Sequence, residues 1–232
     1  MMDLKAVLFD LYSALAYVKD PISSEEISEF LLEHGYDAYP QSLDAASHYV
    51  SMIDYPKHGY DSWEAYLKQV LSRLDIRVDA QTLGELVSIY EKHRTLTLFP
   101  DVSVSVRRAK ALGLKTAIVT TIASFCFNSA IEPIRESFDV IMTGYEAGCE
   151  KSNPAMHEQV LEKLNVQPNN AVMIGDELLV DIKIPKNLGI YTIFLDREAN
   201  TRKPKEADAK ATTLLEAMDI IESWLKEISP TK

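Results

Sequence analysis

Beyond Phe99 the chain alternates short apolar runs with helical periods, and that alternation restricts the fold more than any other feature. Lys115-Thr116-Ala117-Ile118-Val119, Asp139-Val140-Ile141-Met142, Ala171-Val172-Met173-Ile174 and Tyr191-Thr192-Ile193-Phe194-Leu195 read as strands. Between them fall helices over about 102–112, 125–137 and 154–164, a helical segment ending at Gly189, and a last helix over about 214–227. Strand–helix alternation predicts an α/β fold, a parallel sheet with helices on both faces. One more strand stands far upstream. Lys5-Ala6-Val7-Leu8-Phe9 has the apolar run of a buried central strand, and Asp10 ends it abruptly. Ligands bind just beyond the carboxyl ends of such strands, which is where Asp10 would sit.

No convincing strand lies between Tyr17 and Leu98. Ser23-Ser24-Glu25-Glu26 makes a capping box ahead of Ile27, Phe30 and Leu31, which share a helical face, and Gly35 ends that helix. Further helices are expected over about 42–53, stopping before Pro56, over 62–74 with Trp63, Tyr66, Leu67, Val70 and Leu71 at helical spacing, and over 80–93. Residues 1–14 and 99–232 are therefore expected to form a Rossmann-like core domain, and 15–98 a helical domain inserted after the first strand. Residues 13–20 and 95–100 would be its two hinge strands. A helical lid over a reaction edge can exclude water from it. The insertion is rich in aromatic residues (Tyr36, Tyr39, Tyr49, Tyr55, Tyr60, Tyr66, Tyr90 and Trp63), most of them expected to pack the helices, with His48, Lys57 and His58 as candidate polar contacts.

The 232 residues are 47% hydrophobic, enough for a sizeable core, and the formal net charge is −11. That charge argues against nucleic acid as a partner, because phosphate backbones need basic surfaces, and gives no support for docking on an anionic membrane. A small phosphorylated substrate needs only a local cation. No apolar run approaches the roughly 20 residues of a membrane span, and the first residues lack a leader's apolar stretch. Cys126 and Cys149 form no metal pattern and read as reduced thiols, so a cytoplasmic location is expected. The composition is compatible with a monomer or a homodimer.

Four polar features follow predicted strands, or lie just beyond them, on one edge: Asp10, Thr120, Lys151, and Gly175-Asp176 with Asp181. Asp10 and Asp176 could hold a hard divalent cation such as Mg2+, which prefers oxygen ligands. Thr120 could donate to an anionic oxygen, Lys151 could neutralise a phosphoryl group, and Gly175 would let the backbone pass close to a metal. Each has an ordinary alternative. Thr120 could cap the next helix, Lys151 could be a solvated lysine, and Asp176 and Asp181 could be first-turn helix charges. Their joint occurrence, in this order, favours a site.

The set resembles the four motifs of the haloacid dehalogenase (HAD) superfamily. Phe9-Asp10-Leu11-Tyr12 resembles the first and Ile118-Val119-Thr120 the second. Lys151 within Gly148-Cys149-Glu150-Lys151-Ser152-Asn153-Pro154 resembles the third, and Val172-Met173-Ile174-Gly175-Asp176 with Asp181 the fourth. The insertion resembles the superfamily's helical type-1 cap. The resemblance implies a phosphatase-like hydrolase in which Asp10 attacks in line and forms an aspartyl intermediate that water hydrolyses. Thr120, Thr121 and Lys151 would bind the transferred group. Mg2+ would be held by Asp10, Asp176 and the backbone carbonyl of Tyr12. Asp181 and Glu177 would support it, orienting metal waters or Lys151.

The chain departs from the pattern in three places. Most phosphatases of the superfamily have an acid/base Asp two residues after the nucleophile, where this chain has Tyr12. The usual Gly-Thr is Ser13-Ala14, and Ser152 replaces a common Pro. Tyr12 is similar to the residue in 2-haloacid dehalogenases, whose halide leaving group needs no proton. Those enzymes lack the Gly-Asp of the fourth motif and use a cap arginine soon after the first, whereas the first arginine after Asp10 here is Arg73. The resemblance therefore favours a Mg2+-dependent phosphatase over a dehalogenase, with a catalytically impaired binding protein as a third reading.

Overall fold

The computed structural model describes residues 3–226. In chain order the strands are β1 (Ala6–Phe9), β2 (Ala16–Val18), β3 (Leu96–Leu98), β4 (Lys115–Val119), β5 (Val140–Met142), β6 (Ala171–Gly175), β7 (Tyr191–Leu195) and β8 (Ala209–Ala211). Helices α1 (Ser24–Glu33), α2 (Pro40–Tyr49), α3 (Tyr55–His58), α4 (Trp63–Arg73) and α5 (Ala80–His93) lie between β2 and β3. Helices α6 (Val102–Ala111), α7 (Ser124–Ile131), α8 (Gly144–Ala147), α9 (Pro154–Leu164), α10 (Ile184–Asn187) and α11 (Leu214–Lys226) follow.

Six strands form one parallel sheet in the order β5-β4-β1-β6-β7-β8. β1 is interior, with Phe9 opposite Ile118 of β4 and Ile174 of β6, so these three strands end level with one another. The pleat divides their side chains between two cores. Val7, Phe9, Ile118, Val172 and Ile174 face Val102 and Val106 of α6 and Leu214, Met218 and Ile221 of α11. Ala6, Leu8, Ala117, Val119 and Met173 face Met156, Val160, Leu161 and Leu164 of α9. Burying both faces is why these strands are continuously apolar, and each large side chain so buried contributes roughly 1.5–3 kcal/mol.

The helical insertion has a core of its own, including Ile27, Leu31, Leu43, Val50, Leu67, Leu71 and Leu86. It leaves and re-enters through β2 and β3, which pair antiparallel with Tyr17 opposite Thr97. Arg197 ties this connection to the sheet. Its guanidinium donates to Asp101 at 3.1 and 3.2 Å and to the Ala14 carbonyl at 2.6 and 3.1 Å, and it lies over the Phe99 ring.

Two prolines lie inside helical runs. The helix expected to stop before Pro56 continues through His58, and Pro185 lies in a helical run without breaking it. In both cases a π-helical turn comes first, Val50–Asp54 and Leu178–Lys183. The turn resets the hydrogen-bond register, so each proline falls in a first helical turn where its missing N–H is not needed. The helix expected over 125–137 is α7 followed by a 3-10 stretch, Glu132–Ser137, with Pro133 at its start. Edge strand β8 and the one-turn helix α8 were not expected. Each is too short to show a period. The last helix matches expectation up to Lys226, and Glu227 lies outside the described residues.

Candidate active site

Asp10 follows β1 immediately, and its backbone N–H donates to the Ile174 carbonyl at 2.9 Å, which locks it to the end of β6. Lys151 reaches it from the loop between α8 and α9. Gly148 ends α8 in the left-handed conformation (φ 67°), and Asn153 caps α9 through the Ala155 N–H, so the short loop is fixed at both ends. The Lys151 ammonium donates to Asp10 Oδ1 and lies 2.5 Å from Asp181 Oδ1. Asp181 belongs to the π-helical turn after β6 and is fully buried. Its Oδ2 accepts the Glu177 N–H at 3.0 Å, while its Oδ1 has no well-directed hydrogen bond despite the nearby ammonium. Carboxylate oxygens of Asp10, Asp176 and Asp181 come within 4.8 Å of one another. A three-carboxylate cluster of this kind could hold a hard divalent cation.

Glycine is required at position 175 for a different reason from the one expected. A Cβ there would run into the Asp181 carboxylate, so Gly175 makes room for a side chain rather than for a metal. Asp181 itself stands in the carboxylate cluster rather than behind it. Glu177 reaches the site only through its backbone, because its side chain is exposed and outside the cluster.

The electrostatics follow from crowding. Burial pushes Asp10 up, Lys151 opposes the push, and Asp181 and Asp176 add to it. Burial likewise raises Asp176 to about 6, helped by Asp181. Lys151 is held above its ordinary value although burial pulls it down, because the Asp10 and Asp181 carboxylates outweigh desolvation. The two halves of the Lys151–Asp10 pair thus pull against each other. The upward direction of Lys151 is the firmer, since an ammonium between two carboxylates gains from either one.

Thr120 is buried at the end of β4. Its N–H donates to the Met142 carbonyl, and its Oγ1 accepts the Ile122 N–H at 3.1 Å. The hydroxyl turns the chain locally and does not cap α7, which starts after Ala123 without a side-chain cap. Thr121 and the half-exposed ring of Tyr12 face a cavity of about 320 Å³ between the insertion and the sheet. Its walls are mainly aromatic: Tyr55, Tyr60, Trp63, Tyr66 and Tyr90 from the insertion and Phe125 from α7, with Trp63 and Phe125 edge to face at 5.1 Å. His48 borders the cavity, whereas Lys57 and His58 are exposed and outside it. Arg94, which follows α5, borders it too. Sequence reasoning missed Arg94, and nothing local marks it, because its role depends on where the insertion folds back.

A family model described as haloacid dehalogenase-like hydrolase matches residues 4–189. The chain belongs to that family. Glyceraldehyde 3-phosphate phosphatase of Pyrococcus furiosus is 24% identical over 96% of this chain and 95% of its own. A HAD phosphatase of Thermococcus onnurineus superposes with a TM-score of 0.68 at 22% identity, covering 94% of this chain and 98% of that one. A 2-haloacid dehalogenase of Pseudomonas syringae superposes with a TM-score of 0.69 at 18% identity, covering 95% and 99%. At these identities the superpositions establish the fold. This family member is a hydrolase, and no helix among its described residues is long and apolar enough to cross a membrane.

Proposed function

We propose that the protein is a Mg2+-dependent phosphatase working through an aspartyl-phosphate on Asp10. The observation that carries the reading is the buried set of Asp10, Asp176 and Asp181 with the Lys151 ammonium between two of them. An all-oxygen donor set suits Mg2+, and the poorly directed Asp181 Oδ1 is the kind of atom a cation or its water would satisfy. Asp10, Asp176 and the Tyr12 carbonyl would hold the ion, with Asp181 beside them. When bound, it would draw negative charge from the phosphoryl oxygens.

The protein's own groups supply the rest. An Asp10 oxygen attacks phosphorus as the P–O bond to the leaving group breaks, the leaving oxygen departing as the anion, and water then cleaves the acyl phosphate to return the carboxylate and free phosphate. Lys151 balances charge on the nucleophile and the phosphoryl group. The Thr120 hydroxyl and Thr121 bind the phosphoryl oxygens. Asp181 keeps Lys151 in place. Residues 15–98 act as a cap domain over the core formed by 1–14 and 99–232.

The partner is a small phosphorylated substrate, and phosphatase names among the relatives support that class. Tyr12 leaves no carboxyl two residues after the nucleophile to protonate a leaving group, help typically worth ~10²–10⁴-fold. Turnover of p-nitrophenyl phosphate is therefore expected to exceed that of glyceraldehyde 3-phosphate by at least about 100-fold in kcat. Equal kcat on both would contradict this and reveal a substitute acid. The dehalogenase reading rests on Tyr12 alone, and the acidic cluster has little use in metal-free displacement of halide.

A further inference from the structure

We infer that the leaving group this enzyme selects is an aromatic ring bearing an anionic substituent, the ring held between the aromatic walls of the cavity and the anion on Arg94. The inference rests on the phosphatase reading and specifies its substrate class.

The walls favour a flat, largely apolar leaving group over a sugar-like one. A polyol needs hydrogen-bond partners for each hydroxyl, and buried hydroxyls without them are costly. Seven aromatic side chains offer mainly ring faces and edges, and the other hydroxyls are few, those of Ser47, Ser51 and Thr121. Burial holds the Tyr90 hydroxyl neutral, pushed up to about 12, and pushes Tyr55 and Tyr60 in the same direction. Such walls suit a flat apolar body, which gains both burial and ring–ring contact. The volume of about 320 Å³ lies at the small end of the roughly 300–1,000 Å³ usual for ligand sites, which leaves room for one substituted ring. The ring would enter past Tyr12 and Thr121, the lining residues nearest in sequence to Asp10 and Thr120, with its phosphate directed toward the carboxylate cluster.

Arg94 is the one lining residue with a fixed charge. Among the described residues no carboxylate pairs with it. One terminal nitrogen donates to the Ile22 carbonyl at 3.3 Å, and the guanidinium carbon stands 5.5 Å from the Tyr90 ring centre. Its Nε is buried and has no hydrogen-bond partner. A partly buried guanidinium with an unused donor, in a cavity otherwise neutral apart from His48, is a receptor for an anion. Carboxylates match its geometry best, because two oxygens can take two N–H groups at once.

The test measures binding without turnover, by calorimetry on the full-length Asp10→Asn protein, with benzoate and its neutral isostere benzamide as probes. Benzoate is expected to bind at least roughly 10-fold more tightly than benzamide. Arg94→Met, added to Asp10→Asn, is expected to bring the two affinities within about threefold, and Arg94→Lys to restore part of the preference. Equal affinities in the parent protein, no binding of either probe, or a preference that survives Arg94→Met would each overturn the inference. If Arg94→Met does not fold, the parent preference and the Arg94→Lys result decide. A turnover arm compares kcat/KM for 4-carboxyphenyl phosphate and phenyl phosphate in the wild-type protein, with the former at least roughly 10-fold higher. Phosphate release from neither substrate would defeat the phosphatase reading, whereas the binding arm reports on Arg94 by itself.

Discussion

At Gly175 the missing side chain is a requirement of the site, because the Asp181 carboxylate occupies the space where a Cβ would be. Gly175→Ala is therefore expected to displace Asp181 and release Lys151 from one of its two partners. Misplacement of about an ångström at a reacting centre can cost on the order of 10²-fold. That loss in kcat/KM, with a folded far-UV spectrum, is the expected outcome, and near-normal kinetics would mean Asp181 can move at no cost. His157 concerns stability instead. Its ring is fully buried on α9 with neither nitrogen in a well-formed hydrogen bond, although the Val180 backbone lies alongside. Burial holds it neutral, pulled down to about 3 and pushed the same way by Lys151. In the unfolded chain an ordinary histidine takes a proton below about pH 6.5. Between pH 6.5 and 3 the unfolded state thus binds the extra proton, and stability falls as the pH falls. Between pH 7 and pH 5, denaturant unfolding of the wild-type protein should lose up to about 2 kcal/mol relative to His157→Phe, a difference that cancels the opposite contributions of the raised Asp10 and Asp176 carboxyls.

The two-stranded connection of β2 and β3 depends on one residue far from it in sequence. Arg197 grips Ala14 and Asp101 and covers Phe99, and Asp101 in turn accepts the first N–H of α11 at 2.8 Å. Arg197→Met should cost about 2 kcal/mol or more in urea unfolding, since it strands a largely buried Asp101 carboxylate. A cost under about 0.5 kcal/mol would reduce the clamp to an ordinary surface ion pair. Much at this scale was legible in the chain. The doubly buried strands announced themselves as apolar runs, and Ser23 with Glu26 forms the expected capping box. The reach of Arg197 was not legible, because nothing near residue 197 encodes a contact with Ala14. The same limit hid Arg94 and the burial of Asp181. Pro56 misled for another reason: a π-helical turn has no sequence period, so the rule that proline ends a helix met its exception unannounced. Ser13, in the position of a family glycine, does adopt the left-handed conformation at φ 62°. The loop keeps its shape without the residue that shape favours.

On the scale of the molecule, two bodies of side chains with separate cores meet over one sheet edge, and the aromatic cavity lies where they meet. The insertion docks through α3 on α8, where Tyr55 and Tyr145 rings stand 6.1 Å apart, and through Trp63 on Phe125. With a formal charge of −11, the protein as a whole repels an anion, and Arg94 is the one fixed positive charge lining the cavity. The central claim is that this cleft hydrolyses phosphomonoesters through Asp10 with Mg2+. Its most direct test incubates the protein with p-nitrophenyl phosphate and, separately, L-2-chloropropionate, each with Mg2+ and with EDTA, using Asp10→Asn as the control. The account predicts phosphate release with Mg2+ that disappears with EDTA and in Asp10→Asn, and no chloride release. Chloride release indifferent to EDTA, or silence with both substrates, would contradict it.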